Sequence, residues 1–218
     1  MRKNKNKSFK KGAAQYAFVV DGETELWYIN MLKRNEGIRA KVSPEIPDKK
    51  NISDQFDRVE ELSADYQKVF WIIDLDVLIR ENKIDELKDC LSKISANSSL
   101  KYKVVPIVNV PCLEFWYLLH LKHTSKYFDS CKKVESEIKR IVKARGISAL
   151  RDYEKSQIYY TKHGNDIYLR LKPYLNAAIA NAAKLPSFNP ESCEVGLSEM
   201  DELFKHIKEL NYIQECTK

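Results

Sequence analysis

Five consecutive apolar residues, Val69-Phe-Trp-Ile-Ile73, run into the acidic segment Asp74-Leu-Asp76. A strand wet on one side alternates apolar and polar residues. An unbroken β-branched and aromatic run of this length therefore indicates a strand buried on both faces, the kind found in a parallel sheet covered by helices. Parallel neighbours cannot be joined by hairpins, so helical crossovers must flank such a strand. The flanking sequence supplies them. Residues 15–20 read as a short apolar strand that stops at Asp21-Gly22, after which Leu26, Ile29 and Leu32 recur at helical spacing. Residues 38–46 are a weaker strand candidate ended by prolines, and residues 54–65 carry Phe56, Val59 and Leu62 on one helical stripe. Ile84, Leu87, Leu91 and Ile94 mark another helix. Residues 104–108 form a third apolar strand, in which Pro106 predicts an edge position or a bulge. Pro111 is expected to open a helix over 112–121 from its first turn, where a missing N–H costs nothing.

Strand alternates with helix three times, which implies right-handed βαβ units: an α/β fold with a mainly parallel sheet flanked by helices. No strand is evident from about Asp129 onward. Helices are expected over 134–144, over 166–185 around a break at Pro173, and over 198–210. A chain of 218 residues fits one core with additional helices, divided into a disordered basic arm (1–11), an α/β core (12–128) and a helical extension packed on it (129–218).

The formal charge of +6 invites a nucleic-acid reading, but its location weakens that reading. Arg2, Lys3, Lys5, Lys7, Lys10 and Lys11 all lie in the arm; removing these six from 37 basic residues leaves 31 against 31 acidic ones, so the body is neutral. The arm lacks the apolar stretch of a secretory signal and reads as a solvated tail able to touch phosphates. With no run near ~18 apolar residues, no membrane span is expected. Five widely spaced cysteines without a Cys-x-x-Cys pair argue against a disulfide framework and fit a reducing cytoplasm. His120-x-x-His123, with Cys112 upstream and Cys131 downstream, matches no standard zinc spacing and reads as core and surface residues of a helix and its exit.

The acids are better placed. Ligands of open α/β sheets bind beyond the carboxyl ends of the strands. Asp21 follows the first strand, Glu25 lies one turn into the next helix, and Asp74 and Asp76 close the central strand. If both of these remain extended, they share a face and repel, which is costly unless a cation or shared proton lies between them. Glu114, in the first turn of the helix after the third strand, can reach the same edge. The corresponding bland reading is that Asp-Gly is a common turn pair and that Glu114 complements a helix dipole. Oxygen donors of this kind suit Mg²⁺ or Mn²⁺.

The blocks Asp21-Gly-Glu-Thr-Glu25-Leu-Trp-Tyr28, Val69-Phe-Trp-Ile-Ile-Asp74-Leu-Asp76, Asn109-Val-Pro-Cys-Leu-Glu114-Phe-Trp-Tyr-Leu-Leu-His120, Tyr153-Glu-Lys155 and Asn176-Ala-Ala-Ile-Ala-Asn-Ala-Ala-Lys resemble, in this order, those of RloB-like proteins. That family is similar to the Toprim catalytic domain of topoisomerases, primases and OLD-type nucleases. It occurs in restriction and phage-defence loci, some beside an ATPase subunit. The resemblance implies metal-dependent phosphodiester hydrolysis on DNA or RNA, with Asp21, Glu25, Asp74 and Asp76 catalytic and metal-binding and Glu114 a further ligand. It also implies a cytoplasmic location and an ATPase partner, and leaves self-association open. The family's usual Glu-Gly is Asp-Gly here. The shorter Asp21 is then expected either to bind metal differently or to leave the acid-base role to Glu23 or Glu25. Lys155, Lys162 and His163 read as solvated surface residues with a capacity for phosphate contact.

Two other enzymes fit less well. A haloacid-dehalogenase reading of Asp74-Leu-Asp76 needs this strand to open the fold, and a sugar-nucleotide transferase needs an acceptor domain for which the chain has little room. From a different class comes a binding or regulatory subunit of an ATPase-containing complex that has kept the fold and lost the chemistry, with Trp27 and Trp116 as candidate contact residues.

Overall fold

The structure, a computed structural model, describes residues 16–38, 40–42 and 51–216. The basic arm and residues 43–46 of the second strand candidate lie outside the described residues. Three parallel pairings build the sheet from β1 (Tyr16–Val20), β2 (Ala40–Val42), β3 (Lys68–Asp74) and β4 (Val104–Val110), with β5 (Leu197–Ser198) antiparallel at the end, in the order β2-β1-β3-β4-β5. The expected α/β architecture is thus observed, with one added strand. β5 is two residues long, too short for any periodicity to register in the sequence.

Alternate residues of the strands feed two separate apolar layers. Phe18, Val20, Phe70, Ile72 and Ile107 face α1 (Glu23–Asn35), α6 (Glu114–Leu121), α7 (Cys131–Arg145), α9 (Ile167–Leu171), α10 (Leu175–Ala182) and α11 (Met200–Cys216). Ala17, Val19, Val69, Trp71, Ile73 and Val108 face α2 (Ile52–Asp65), α4 (Ile84–Ala96) and α5 (Ser98–Lys103). Burial on both sides explains the unbroken apolar run that the sequence shows in β3. At roughly 1.5–3 kcal/mol for each large apolar side chain removed from water, these two layers dominate the folding energy. The helices after residue 129 contribute Ile138, Tyr168 and Leu203 to the same layer as Phe18 and Phe70. Pro173 falls within a 3-10 turn, Lys172–Tyr174, between α9 and α10, the expected break.

Pro106 pairs with Trp71 of β3, while β5 meets β4 only at Asn109 and Val110. The proline therefore occupies a stretch of β4 with no second strand neighbour, which is where a residue lacking an N–H is tolerated. Pro111 does not open α6. It follows a cis peptide bond to Val110, and α6 begins at Glu114. Its carbonyl is used instead: the N–H groups of Leu75 and Asp76 both donate to it at 2.9 Å. Among the described residues no helix is long and apolar enough to cross a membrane.

The chain lays β2 on one side of β1 and then crosses to place β3 on the other. This makes a topological switch point between β1 and β3, where open α/β sheets bind ligands. Gly196, just before β5, lies where the chain passes close to α6 and the segment after it. It is buried, its N–H donates to the Ser125 carbonyl at 3.1 Å, and an added Cβ would lie 2.2 Å from the Lys126 carbonyl oxygen and 2.5 Å from the Phe115 ring. Gly196→Ala is expected to destabilise the chain by about 1–3 kcal/mol through overpacking, read as a lowered midpoint in urea unfolding.

Candidate metal centre

Asp74 is the last residue of β3 and is almost fully buried. Its Oδ1 accepts from Asn109 Nδ2 and its Oδ2 from the Leu113 N–H, both at 3.1 Å. Asn109 occupies the neighbouring position on β4, and its own Oδ1 accepts from Ser198 Oγ at 2.6 Å on β5. A line of side-chain hydrogen bonds across three strands thereby sets the carboxylate. The register Val20↔Ile72 leaves Asp21 just past the end of β1, at the switch point. Gln55 Nε2 donates to Asp21 Oδ1 at 2.6 Å, and Gln55 Oε1 in turn accepts from the Trp71 indole at 2.9 Å.

Glu25, one turn into α1, is buried and accepts at Oε1 from Thr24 Oγ1 at 2.8 Å. Gly22 permits this position: a Cβ there would lie 2.9 Å from Glu25 Oε2. Glu23 is exposed, so of the two glutamates only Glu25 joins the buried acids. Glu114 is fully buried at the start of α6. Tyr153 donates to its Oε1 at 2.7 Å, and Lys155 Nζ, which also reaches Glu135, lies 3.0 Å from the same oxygen. Its other oxygen, Oε2, is buried without a hydrogen-bond partner among the described residues.

Three buried carboxylates, Glu25, Asp74 and Glu114, and the half-buried Asp21 thus act on one another electrostatically from separate elements. Burial, followed by the charge of Glu114, pushes the Glu25 carboxyl up to about 7, with Asp21 adding to the rise. Burial and the charges of Glu25, Asp21 and Glu114 raise Asp74 well above the usual carboxylate range. The donors are all oxygen, and one buried oxygen lacks a partner. Oxygen donors are what a hard divalent cation takes, and Asp74, Glu25, Asp21 and Glu114 are the residues that could hold one. Among the described residues, the group whose ligand atoms already lie within 4.8 Å of one another is Cys112, Glu114 and Cys131, so the four acids would have to draw together around the ion. Without a cation, the same arrangement is tolerable only with protons on some of these groups.

Asp76 stands apart. Leu75 adopts helical dihedrals (φ −94°, ψ −10°), its side chain turns into the core, and Asp76 becomes the first residue of α3 (Asp76–Arg80). The two aspartates are therefore not both extended on one face, as the sequence pattern suggested. The N–H groups of Leu75 and Asp76 satisfied by the Pro111 carbonyl make this turn, a long-range contact invisible in the local sequence. Asp76 Oδ2 lies 3.2 Å from Cys131 Sγ. Against the expectation from cysteine spacing, Cys131 is disulfide-bonded to Cys112, while Cys90 and Cys193 are free. The cysteines meet without the histidines: His120 Nδ1 donates to the Trp116 carbonyl at 2.9 Å, burial lowers its pKa to about 4, and His123 is exposed. Trp116 is fully buried and Trp27 partly so, and Trp116 is therefore no surface contact residue.

Asn109, Gln55, Tyr153 and Lys155 escaped selection as site residues. Lys155 in particular is an ion-pair partner of buried Glu114 rather than a solvated lysine, and no spacing rule links the two positions. Lys162 and His163 are exposed. In comparisons with known proteins, the family described as RloB-like protein matches residues 16–209. No curated protein and no solved structure matches.

The raised pKa of Glu25 has a sign that can be checked. Its stabilising contribution is fully present below its ordinary value of 4.5 and is lost as pH rises through about 7. In chelator-treated protein, Glu25→Gln is expected to raise the thermal midpoint at pH 8 by at least ~2 °C, roughly 1 kcal/mol for a chain of this size, with the gain vanishing near pH 4.5. Thermal denaturation across that pH range measures it.

Proposed function

The chain belongs to the RloB-like protein family, and from that premise we propose that it is a divalent-metal-dependent hydrolase of phosphodiester bonds in nucleic acid, working with Mg²⁺ or Mn²⁺ in phage defence. The observation that carries this reading is the gathering of buried Glu25, Asp74 and Glu114 with half-buried Asp21 near the sheet's switch point, where burial and mutual charge raise Asp74, with Glu114 Oε2 lacking a partner among the described residues. A buried all-oxygen anionic set has few uses other than holding a cation.

When bound, the cation supplies Lewis acidity at the scissile phosphate and a water of lowered pKa. The remaining work falls to the chain. Asn109 and the Leu113 N–H orient Asp74, and Gln55 orients Asp21. Tyr153 and Lys155 fix Glu114 through Oε1 and leave Oε2 as its donor. Thr24 occupies Glu25 Oε1, so a proton taken up or released by this residue resides on Oε2. Lys155 also brings a positive charge to Glu114.

A second reading, a binding or regulatory subunit without chemistry, draws on Asp76, whose carboxylate lies against Cys131 instead of completing the aspartate pair. Incubation of the purified chain with single- and double-stranded DNA and RNA, with Mn²⁺ or with chelator, separates the two. The enzyme reading expects metal-dependent cleavage reduced by about 10²-fold or more in Asp74→Asn, with Lys162→Ala near wild type. Nucleic-acid binding that survives both chelation and Asp74→Asn, without cleavage of any polymer, favours the binding subunit.

A further inference from the structure

We propose that Cys112 and Cys131, when reduced, form with Glu114 a binding site for a thiophilic divalent cation of the zinc class, distinct from the oxygen site around Asp74. One ligand atom from each of the three residues can be chosen so that all lie within 4.8 Å of one another. Cys112 and Glu114 are buried, and Cys131, at the start of α7, is half-buried and open to a reductant.

Two observations point past the disulfide to a ligand. Glu114 Oε2 is buried without a partner among the described residues, so the carboxylate beside the sulfurs has donor capacity left. Asp76 Oδ2 lies 3.2 Å from Cys131 Sγ, and a disulfide sulfur has no hydrogen to donate; this contact is favourable only when Cys131 is a thiol or its sulfur is metal-bound. Asp76 then stands as a second oxygen, and a fourth ligand, beside the thiolates. Two thiolates with one or two carboxylates suit a zinc-class ion and are a poor environment for magnesium, which avoids sulfur. Lys155 Nζ, 3.0 Å from Glu114 Oε1, offsets part of the excess negative charge.

Loading has two steps. A dithiol reductant gives up two electrons and two protons and closes to its own disulfide; the Cys112–Cys131 S–S bond accepts them and becomes two thiols. On cation binding the two thiol protons pass to the buffer and both sulfurs coordinate as thiolates. The site therefore exists only in the reduced chain, and Glu114 is common to it and to the oxygen cluster.

Co²⁺ is the suitable probe, because a sulfur-to-cobalt charge-transfer absorption cannot arise from carboxylates. The full chain, reduced with dithiothreitol and desalted without oxygen, is titrated with Co²⁺ and compared with the oxidised chain. The expected result is a charge-transfer band in the reduced chain that saturates at one ion per chain, is bleached by Zn²⁺ and is missing from the oxidised chain. Cys131→Ser abolishes the band and Cys193→Ser retains it; Glu114→Gln keeps the band but weakens binding by about tenfold or more. Asp74→Asn also retains it, so this site can stand or fall independently of the nuclease reading. A reduced chain without the band, or a band that persists in Cys131→Ser, overturns the proposal.

Discussion

Asp74 bears a carboxylate where a carboxylate is expensive. It ends a strand buried on both faces, and Glu25, Asp21 and Glu114 bring further negative charge against it from three other elements. In low dielectric such a group is kept either by protonation or by a cation, and the surrounding structure is arranged to accept either. Two neutral donors, Asn109 and the Leu113 N–H, hold it without neutralising it. A structural aspartate at this position would more economically have met a lysine or arginine. Lys155, which lies beside Glu114, is tied to it and to Glu135.

Much of the remaining architecture serves that point. β5 is only two residues long, yet its Ser198 supports Asn109, and the Gly196 that precedes it allows the chain to pass against Phe115 and the Lys126 carbonyl. The Pro111 carbonyl receives the N–H groups of Leu75 and Asp76, which turns the chain directly after Asp74. The C-terminal helices complete the apolar layer over α1 and α6, while Tyr153 and Lys155, in the segment after α7, reach Glu114. The part of the chain without an evident strand is thus joined to the site.

The sequence made legible whatever depended on local periodicity. The apolar run of β3, the glycine after Asp21 and the helix expected over 112–121 placed Asp21 and Asp74 at strand ends and Glu25 and Glu114 in the helices that follow, because strand termination and helix entry are written in neighbouring residues. What it concealed depended on contacts between distant segments. The helical turn at Leu75, which separates Asp76 from Asp74, is set by backbone carbonyls of the β4 end. The pairing of Cys112 with Cys131, 19 residues away, and the ion pair of Lys155 with Glu114 likewise arise only when α6, α7 and the loop after α7 come together. No motif spacing encodes them.

The central claim, that the buried carboxylates around Asp74 hold a divalent cation, is most directly tested by anomalous diffraction from crystals of the full chain soaked in Mn²⁺. The account predicts an anomalous peak in contact with Asp74 and at least one of Glu25, Asp21 and Glu114, lost in Asp74→Asn crystals. A well-ordered cluster with no peak at saturating Mn²⁺, or a peak that persists unchanged in Asp74→Asn, would contradict it.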